Sequence, residues 1–334
     1  MLAALVGFAT AAAGTWWLLR PDVGLTSLDV PNERSMHSVA VPRGGGLAVL
    51  AGLLFSLAVV SFSVGFSWPA AAIFFALLLI AGISFVDDRK SLGVAPRLAV
   101  HFIAAGVALW GADLVPLALA YPGGAVALTP VVATVLSALA VVWLTNLYNF
   151  MDGMDGFAGG MAVIGFATIA LLAGTQAPLL GAIALLTSAA AAGFLVFNFP
   201  PAQIFMGDVG ASALGFLAAA LILWGDVVGV FPWWIGTLAF AVFIVDATVT
   251  LIRRGCARQR IWKAHRSHFY QRLVAIGWSQ PRAVMLHYVL MLLASMSALL
   301  ANGGSLAWQC VILTSVVLML LALMAYITLH ERRR

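Results

Sequence analysis

Residues 69–86 read Pro-Ala-Ala-Ala-Ile-Phe-Phe-Ala-Leu-Leu-Leu-Ile-Ala-Gly-Ile-Ser-Phe-Val, without one charged side chain, and run directly into Asp87-Asp88-Arg89-Lys90. A helix of about 20 apolar residues crosses the hydrocarbon core of a bilayer, and somewhat shorter runs suffice. The charges gather at a boundary instead of recurring along one helical face, as they do on a water-facing helix. The same pattern repeats outward in both directions. Apolar segments lie at 2–19, 45–65, 69–86, 98–117, 128–147, 158–174, 178–196, 211–224, 231–251, 283–301 and 306–328. The eighth is short, and the fourth has an alternative end near Trp110.

Composition agrees across all 334 residues: 63% are hydrophobic, 9% are charged, and mean hydropathy is +1.06. A water-soluble domain carries about 25% charged residues. Soluble and disordered chains are therefore excluded, and Cys256 and Cys310 are too few for a disulfide scaffold. The expected fold is all-α: one polytopic membrane domain over 1–334 with 10–11 transmembrane helices and a basic cytoplasmic loop at 252–282. Segment 2–19 has no basic residue before it, so it reads as a retained helix and not a cleaved leader.

The net charge of +5 alone would suit a nucleic-acid partner, but the 17 Lys and Arg residues fall in four stretches. These are 20–44, 87–97, 252–282 and the last residues of the chain. With eleven spans all four lie on one side, which the positive-inside rule makes the cytoplasm. The N-terminus is then outside, the C-terminus is inside, and no nucleic acid is needed. Most acidic residues share that side, so the chemistry is expected there.

Five clusters carry polar groups to that face. Asp87-Asp88 places two carboxylates side by side, which is costly without a cation nearby. Neutralisation by Arg89 and Lys90 at an interfacial stop is the alternative. Asn146, Asn149, Asp152 and Asp155 recur every three residues, so in a helical turn they share a face. Hard oxygen ligands suit Mg²⁺, and Gly153 and Gly156 would let a ligand approach the backbone. Helix capping at the two adjoining spans is the competing explanation.

In Asn198-Phe-Pro-Pro-Ala-Gln-Ile-Phe205-Met-Gly-Asp208 the prolines end the seventh span. Asp208 then stands at the next helix N-terminus, either as a simple cap or beside amides that attract phosphate. Pro42-Arg43-Gly44-Gly45-Gly46 is either an anion-binding nest or a tight turn. The polar stretch before it holds Asn32, Ser35, His37 and Ser38. Last, Trp262-Lys-Ala-His265-Arg266-Ser-His268 mixes bases with aromatics. Those groups suit a sugar phosphate better than a metal, although anionic headgroups would also attract them. His101, His287 and Asp246 lie within or at the edge of spans and read as structural hydrogen-bonding groups.

Transporters keep polar residues near mid-membrane, whereas these lie in loops at one face. Oxygen ligands, arginines and a helix N-terminus together suit a pyrophosphate-bearing substrate. A many-span scaffold suits a lipid as the other substrate. The residues thus point to a Mg²⁺-dependent phosphotransferase acting on a membrane lipid. A transporter or flippase leaves the carboxylates unexplained, and the Asp-Gly-x-x-Ala-Arg signature of CDP-alcohol phosphotransferases is absent.

Asp87-Asp88, Asn146-x-x-Asn149-Phe-x-Asp152-Gly-x-Asp155-Gly, Phe205-Met-Gly-Asp208 and His265-Arg-Ser-His268 occur in the order found in polyprenyl-phosphate N-acetylhexosamine-1-phosphate transferases. The chain resembles that superfamily (glycosyltransferase family 4) over nearly its whole length. Asp29-Val-Pro-Asn-Glu-Arg-Ser, Pro-Arg-Gly-Gly-Gly and Ala-His-Arg-Ser-His look closest to the O-antigen initiating branch. The triple His of the related phospho-N-acetylmuramoyl-pentapeptide translocase is missing, and Ala211 stands where the family often has Ser.

The resemblance implies transfer of N-acetylhexosamine-1-phosphate from a UDP-sugar to undecaprenyl phosphate, releasing UMP. It implies Mg²⁺, or Mn²⁺ in its place, held by Asn149 and Asp208. Asp87, Asp88 and Asp208 would be catalytic, with Asp87 facing the lipid phosphate. Asn146, Asp152, Asp155, Asn198 and Phe205 would bind the donor, Phe205 by stacking on uracil. Arg43, His265, Arg266 and His268 would contact phosphate and sugar. The implied setting is the bacterial inner membrane with the site facing the cytoplasm, among membrane lipids and with room for a homodimer.

Overall fold

A chain in hydrocarbon must satisfy its backbone polar groups internally, and each apolar segment does so as helix. The computed structural model describes residues 1–20, 22–31, 39–64, 67–260 and 265–332, with backbone alone for 62–64. The polar stretch 32–38, the Trp262-Lys263-Ala264 part of the basic segment and the last two arginines lie outside the described residues.

In chain order the elements are α1 (Leu2–Leu18), β1 (Ser27–Asp29), β2 (Val41–Arg43), α2 (Gly46–Val64), α3 (Trp68–Lys90), α4 (Val94–Gly111), β3 (Ala118–Tyr121), β4 (Gly124–Ala127), α5 (Pro130–Met151) and α6 (Phe157–Ala173). They continue with α7 (Pro178–Asn198), α8 (Gly207–Val227), α9 (Trp233–Leu238), α10 (Ala241–Cys256), α11 (Phe269–Ala275), α12 (Gln280–Ala301) and α13 (Leu306–Glu331). Seven helices (α3, α4, α5, α7, α8, α12 and α13) are long and apolar enough to cross a membrane, and α1, α2 and α6 are shorter apolar helices. The protein is a polytopic, helical membrane protein.

Three segments differ from expectation. The eighth, expected to be short, is the 21-residue α8, and seventeen of its residues are buried. Its Ala- and Gly-rich sequence lets neighbours approach closely, as small residues do in membrane bundles. The fourth ends at Gly111, close to the Trp110 alternative. The residues after it pair as an antiparallel hairpin, β3 with β4, in the connection between the fourth and fifth expected spans. The ninth divides into α9 and α10, separated at Ala239-Phe240.

Helix starts are conventional. Pro130 opens α5 behind Thr129, whose hydroxyl accepts from Val132 N, and Ser305 serves α13 in the same way. α8 packs against α2, α3, α5, α6, α7 and α9, so it is the central helix of the bundle. α13 is peripheral: only 28% of its apolar window is buried, against 89% for α8. Leucines such as Leu318 and Leu321 therefore face outward, as a lipid-facing surface requires. Central α8 presents its N-terminus at the bundle end where α3, α5 and α7 finish and α2 begins.

Candidate active site

The site is built around the first turn of α8. Asp208 lies in that turn, the N-cap residue Met206 supplies no side-chain cap, and among the described residues no backbone amide donates to the Asp208 carboxylate. The capping carboxylate comes from α3: Asp88 accepts from Asp208 N at 3.2 Å and from Val209 N at 3.4 Å. Two amides expected to be open to phosphate are thus occupied. Asp208 is instead ion-paired with the Arg43 guanidinium, which also lies 3.3 Å from Asp88.

Asp87 turns the other way. Arg97, in the first turn of α4, approaches it at 2.7 Å and stands 4.0 Å from Asp208, while Leu92 N donates to Asp87 at 2.6 Å. Adjacent helix positions point about 100° apart, so the two aspartates take different partners. Arg89 does not neutralise them. It donates to the carbonyl oxygens of Gly24 and Leu25 and stacks on Phe85.

Arg43 is delivered by the Pro-Arg-Gly-Gly-Gly run, which is not an anion nest. Gly44 N and Gly45 N donate to Phe205 O, and Gly46 N donates to Met206 O. Phe205 N returns a bond to Pro42 O, making a parallel bridge between Arg43 and Phe205. Gly46 lies so close to Gly210 that a Cβ would come within 2.3 Å of its backbone. The glycines therefore serve contact between α2 and α8, and Arg43 projects over the start of α8. Burial disfavours its charge, but Asp208, Asp88, Asp152 and Asp29 outweigh that and raise its pKa.

Asn149, in the last turn of α5, donates to Ser212 Oγ at 3.2 Å, one turn beyond Asp208. Asp152, just past α5, is half-buried. Burial pushes its carboxyl up to about 7; Arg43 opposes this, and Asp208, Asp88 and Asp155 add to it. Other members of the Asn/Asp series are committed elsewhere. Asp155 accepts from Ala202 N at 3.0 Å. Buried Asn198 accepts from Gly156 N at 3.0 Å and donates to Ile204 O at 2.8 Å, so it joins the two loops beneath the site. Asn146 donates to Val142 O and to His101 Nδ1, facing α4. In the structure Asn146, Asp155 and Asn198 make hydrogen bonds that position loops and helices around the site. Tyr270 blocks the Cβ side of Gly153, which is otherwise exposed, and Pro200 and Tyr288 pack on buried Gly156.

The His265–His268 segment forms a second region. His268 is buried, its Nδ1 lies 3.4 Å from Asp246, and its ring lies 4.9 Å from that of His265. His265 is half-buried and hydrogen-bonded to Ser267 Oγ. Burial, with His268, Arg254 and Arg253 nearby, lowers its pKa to about 4. Arg266 is exposed. The described parts of the polar clusters thus lie at one bundle end, while His101 and His287 are hydrogen-bonded within the bundle.

Arg97 and Asp246 were not singled out as site residues from the sequence. Arg97 was legible only as one of many charges, although it follows Asp87 by ten residues across the short connection from α3 to α4. Asp246 was visible as an acid inside an apolar segment, but its target, the start of α11, was not.

Taken together, a helical membrane bundle that collects paired carboxylates and guanidiniums at one end has the arrangement of an interfacial phosphotransferase. The comparisons agree. Residues 70–226 match glycosyl transferase family 4, and over that stretch the chain is similar to this superfamily of phosphosugar transferases. A Bacillus subtilis relative named "Probable undecaprenyl-phosphate N-acetylglucosaminyl 1-phosphate transferase" is 28% identical, covering 98% of this chain and 92% of its own. The "Undecaprenyl-phosphate alpha-N-acetylglucosaminyl 1-phosphate transferase" of Escherichia coli O157:H7 is 26% identical over 91% of this chain and 82% of its own. A phospho-N-acetylmuramoyl-pentapeptide-transferase from Lactobacillus delbrueckii is 28% identical over 84% and 90%.

Proposed function

We propose that the protein transfers N-acetylhexosamine-1-phosphate from a UDP-sugar to undecaprenyl phosphate, giving undecaprenyl-diphosphate-sugar and UMP. This would be the initiating step of O-antigen or related surface-polysaccharide synthesis. The four basic stretches support a cytoplasmic side for the site, in a bacterial inner membrane. The observation that carries the proposal is Asp208: a carboxylate in the first turn of the central helix, ion-paired with Arg43 and lying beside Arg97 and Asp87.

Among the described residues no group of three or more His, Cys, Asp or Glu side chains is arranged to hold a metal. That suits Mg²⁺, which is commonly bound by one or two carboxylates together with substrate phosphates. Asp208 and Asn149 bring a carboxylate and an amide to the same turn of α8, a hard-oxygen donor set. When bound there, Mg²⁺ would offset repulsion between two anionic substrates and stabilise departing UMP.

The remaining roles fall to the chain. Arg43 and Arg97 bracket the carboxylates and supply positive charge for phosphate oxygens. Phe205, half-buried beside Arg43, offers an aromatic face for uracil. A phosphate monoester has its second pKa near 6, so the lipid acceptor is mostly dianionic at neutral pH. Asp87, anchored by Arg97, then orients the acceptor more than it removes a proton. Direct displacement follows, with a covalent aspartyl-phosphate as the alternative.

An apolar groove of about 800 Å³ between α4, α5 and α10, lined by Leu98, Val142, Trp143 and Phe150, suits an isoprenoid chain. The sequence His-Arg-Ser-His in place of a triple His favours a UDP-N-acetylhexosamine over a muramoyl-pentapeptide donor. The test incubates purified protein with undecaprenyl phosphate, Mg²⁺ and a panel of UDP-N-acetylhexosamines and follows UMP by chromatography. Release requiring both lipid and metal supports the proposal; no UMP from folded protein with any donor overturns it.

A further inference from the structure

Asp246, on α10, is 4% exposed, and its oxygens are saturated. Oδ1 accepts from Phe269 N and Oδ2 from Tyr270 N, both at 2.9 Å, and Thr250 Oγ1 donates at 3.2 Å. His268 Nδ1 adds a contact at 3.4 Å. Asp246 thus caps α11 from a different helix. A carboxylate so enclosed does not meet substrate; it holds an element in place.

That element needs holding. α11 has seven residues, too few to be stable alone. Its first residues connect two parts of the site. Immediately before it lie His265, Arg266 and His268. Within it, fully buried Tyr270 donates its hydroxyl to Phe150 O at 3.4 Å. Gly153 packs so tightly there that a Cβ would come within 2.2 Å of that hydroxyl. The turn beginning at Phe150 also carries Asp152, and Asn149 is the residue before it.

We propose that Asp246 is a positioning residue for the donor substrate. Through α11 it sets the distance between the His265–His268 segment and the end of α5 bearing Asn149 and Asp152. The donor assignment rests on the function proposed above.

The test compares wild type, Asp246→Asn and Tyr270→Phe in detergent, using UDP-GlcNAc and undecaprenyl phosphate. Asparagine keeps one acceptor oxygen, so one of the two capped amides loses its partner. The expected result for Asp246→Asn is a roughly tenfold rise in donor KM with a lower kcat and unchanged lipid KM. Amide hydrogen exchange accelerates in 265–272 and not at the start of α8. Tyr270→Phe leaves the cap intact and raises donor KM severalfold without faster exchange at residues 269 and 270.

Faster exchange with unchanged donor kinetics would make Asp246 a structural anchor only and overturn the proposal. Unchanged exchange would remove the cap itself. If Asp246→Asn does not fold, Tyr270→Phe decides, and an unchanged donor KM there overturns the proposal. Wild type that neither binds UDP-GlcNAc nor releases UMP overturns the donor role together with the proposed function. The exchange difference in 265–272 would still separate that outcome from loss of the cap.

Discussion

Two helices at the same end of the bundle begin under a carboxylate borrowed from another helix. α8 is capped by Asp88 of α3, and α11 by Asp246 of α10. The difference lies in what surrounds the cap. Asp246 spends its oxygens on two backbone amides, a hydroxyl and His268, with no bulk solvent beside it. Asp88 frees its neighbour: because α3 supplies the cap, Asp208 caps nothing and remains among Arg43, Arg97 and the two aspartates of α3. Saturation of the oxygens, more than charge or sequence position, separates a carboxylate that builds the fold from one available to a ligand.

The largest test of that contrast is Asp208→Ala. UMP release should fall by about 10³-fold or more, while the thermal midpoint barely moves because no backbone amide loses its acceptor. Asp88→Ala should also abolish turnover but, unlike Asp208→Ala, should lower stability by about 1 kcal/mol or more, the usual cost of losing a helix cap. Equal destabilisation by both variants would break the distinction. Next in size is Asn198→Ala, which orphans Gly156 N and Ile204 O in a buried place. A loss of about 2–4 kcal/mol is expected, from two unmade buried hydrogen bonds, measurable by thermal unfolding before any assay. A ligand-contacting Asn198 would instead show weakened donor binding at unchanged stability.

A smaller effect is expected at Asp152. Its carboxyl is pushed to about 7 in the fold, above the 3.8 of an unperturbed aspartate. The folded state therefore binds the proton more tightly, and this group's contribution to stability declines as pH rises from about 4 to about 7. Asp152→Asn removes that dependence. Without divalent cation, its thermal midpoint should exceed that of wild type at pH 8, and the gain should shrink as pH falls towards 4. A constant difference across that range would place the carboxyl outside the low-dielectric, carboxylate-rich setting described.

Much of this was legible in sequence because it depends on local chemistry. The charge-free run ending in Asp87-Asp88 and the apolar segment ending beside Arg253-Arg254 mark helix ends at an interface. The prolines after Asn198 stop α7 as expected. What escaped depends on contacts over long sequence separations. Gly44–Gly46 can be a nest or a packing surface, and only their proximity to Phe205, Met206 and Gly210 decides between them. Spacing every three residues puts Asn146 and Asn149 near one helical face, yet α4 takes the first and α8 the second. The hairpin at 118–127 lies between two expected spans, where no strand was read although Pro122-Gly123-Gly124 marks a turn. The break at Ala239-Phe240 carries no proline or glycine to announce it.

The smallest expected effect tests how far α11 relies on its second attachment. Arg272 reaches Glu331 of α13 through Nε at 2.8 Å and donates to Thr328 Oγ1 at 3.2 Å. Arg272 is 8% exposed, but Glu331 is 34% exposed, so water screens the acid and the pair resembles a surface salt bridge. Glu331→Gln keeps an acceptor and removes only the charge. Its cost should be at most about 1 kcal/mol, partly suppressed by salt, with donor KM unchanged. If α11 owed its position to α13 as much as to α10, this variant would match Asp246→Asn in donor KM and in exchange of residues 265–272. A clear gap between the two assigns the placement of the segment to the buried, saturated carboxylate, where desolvation makes each hydrogen bond harder to lose.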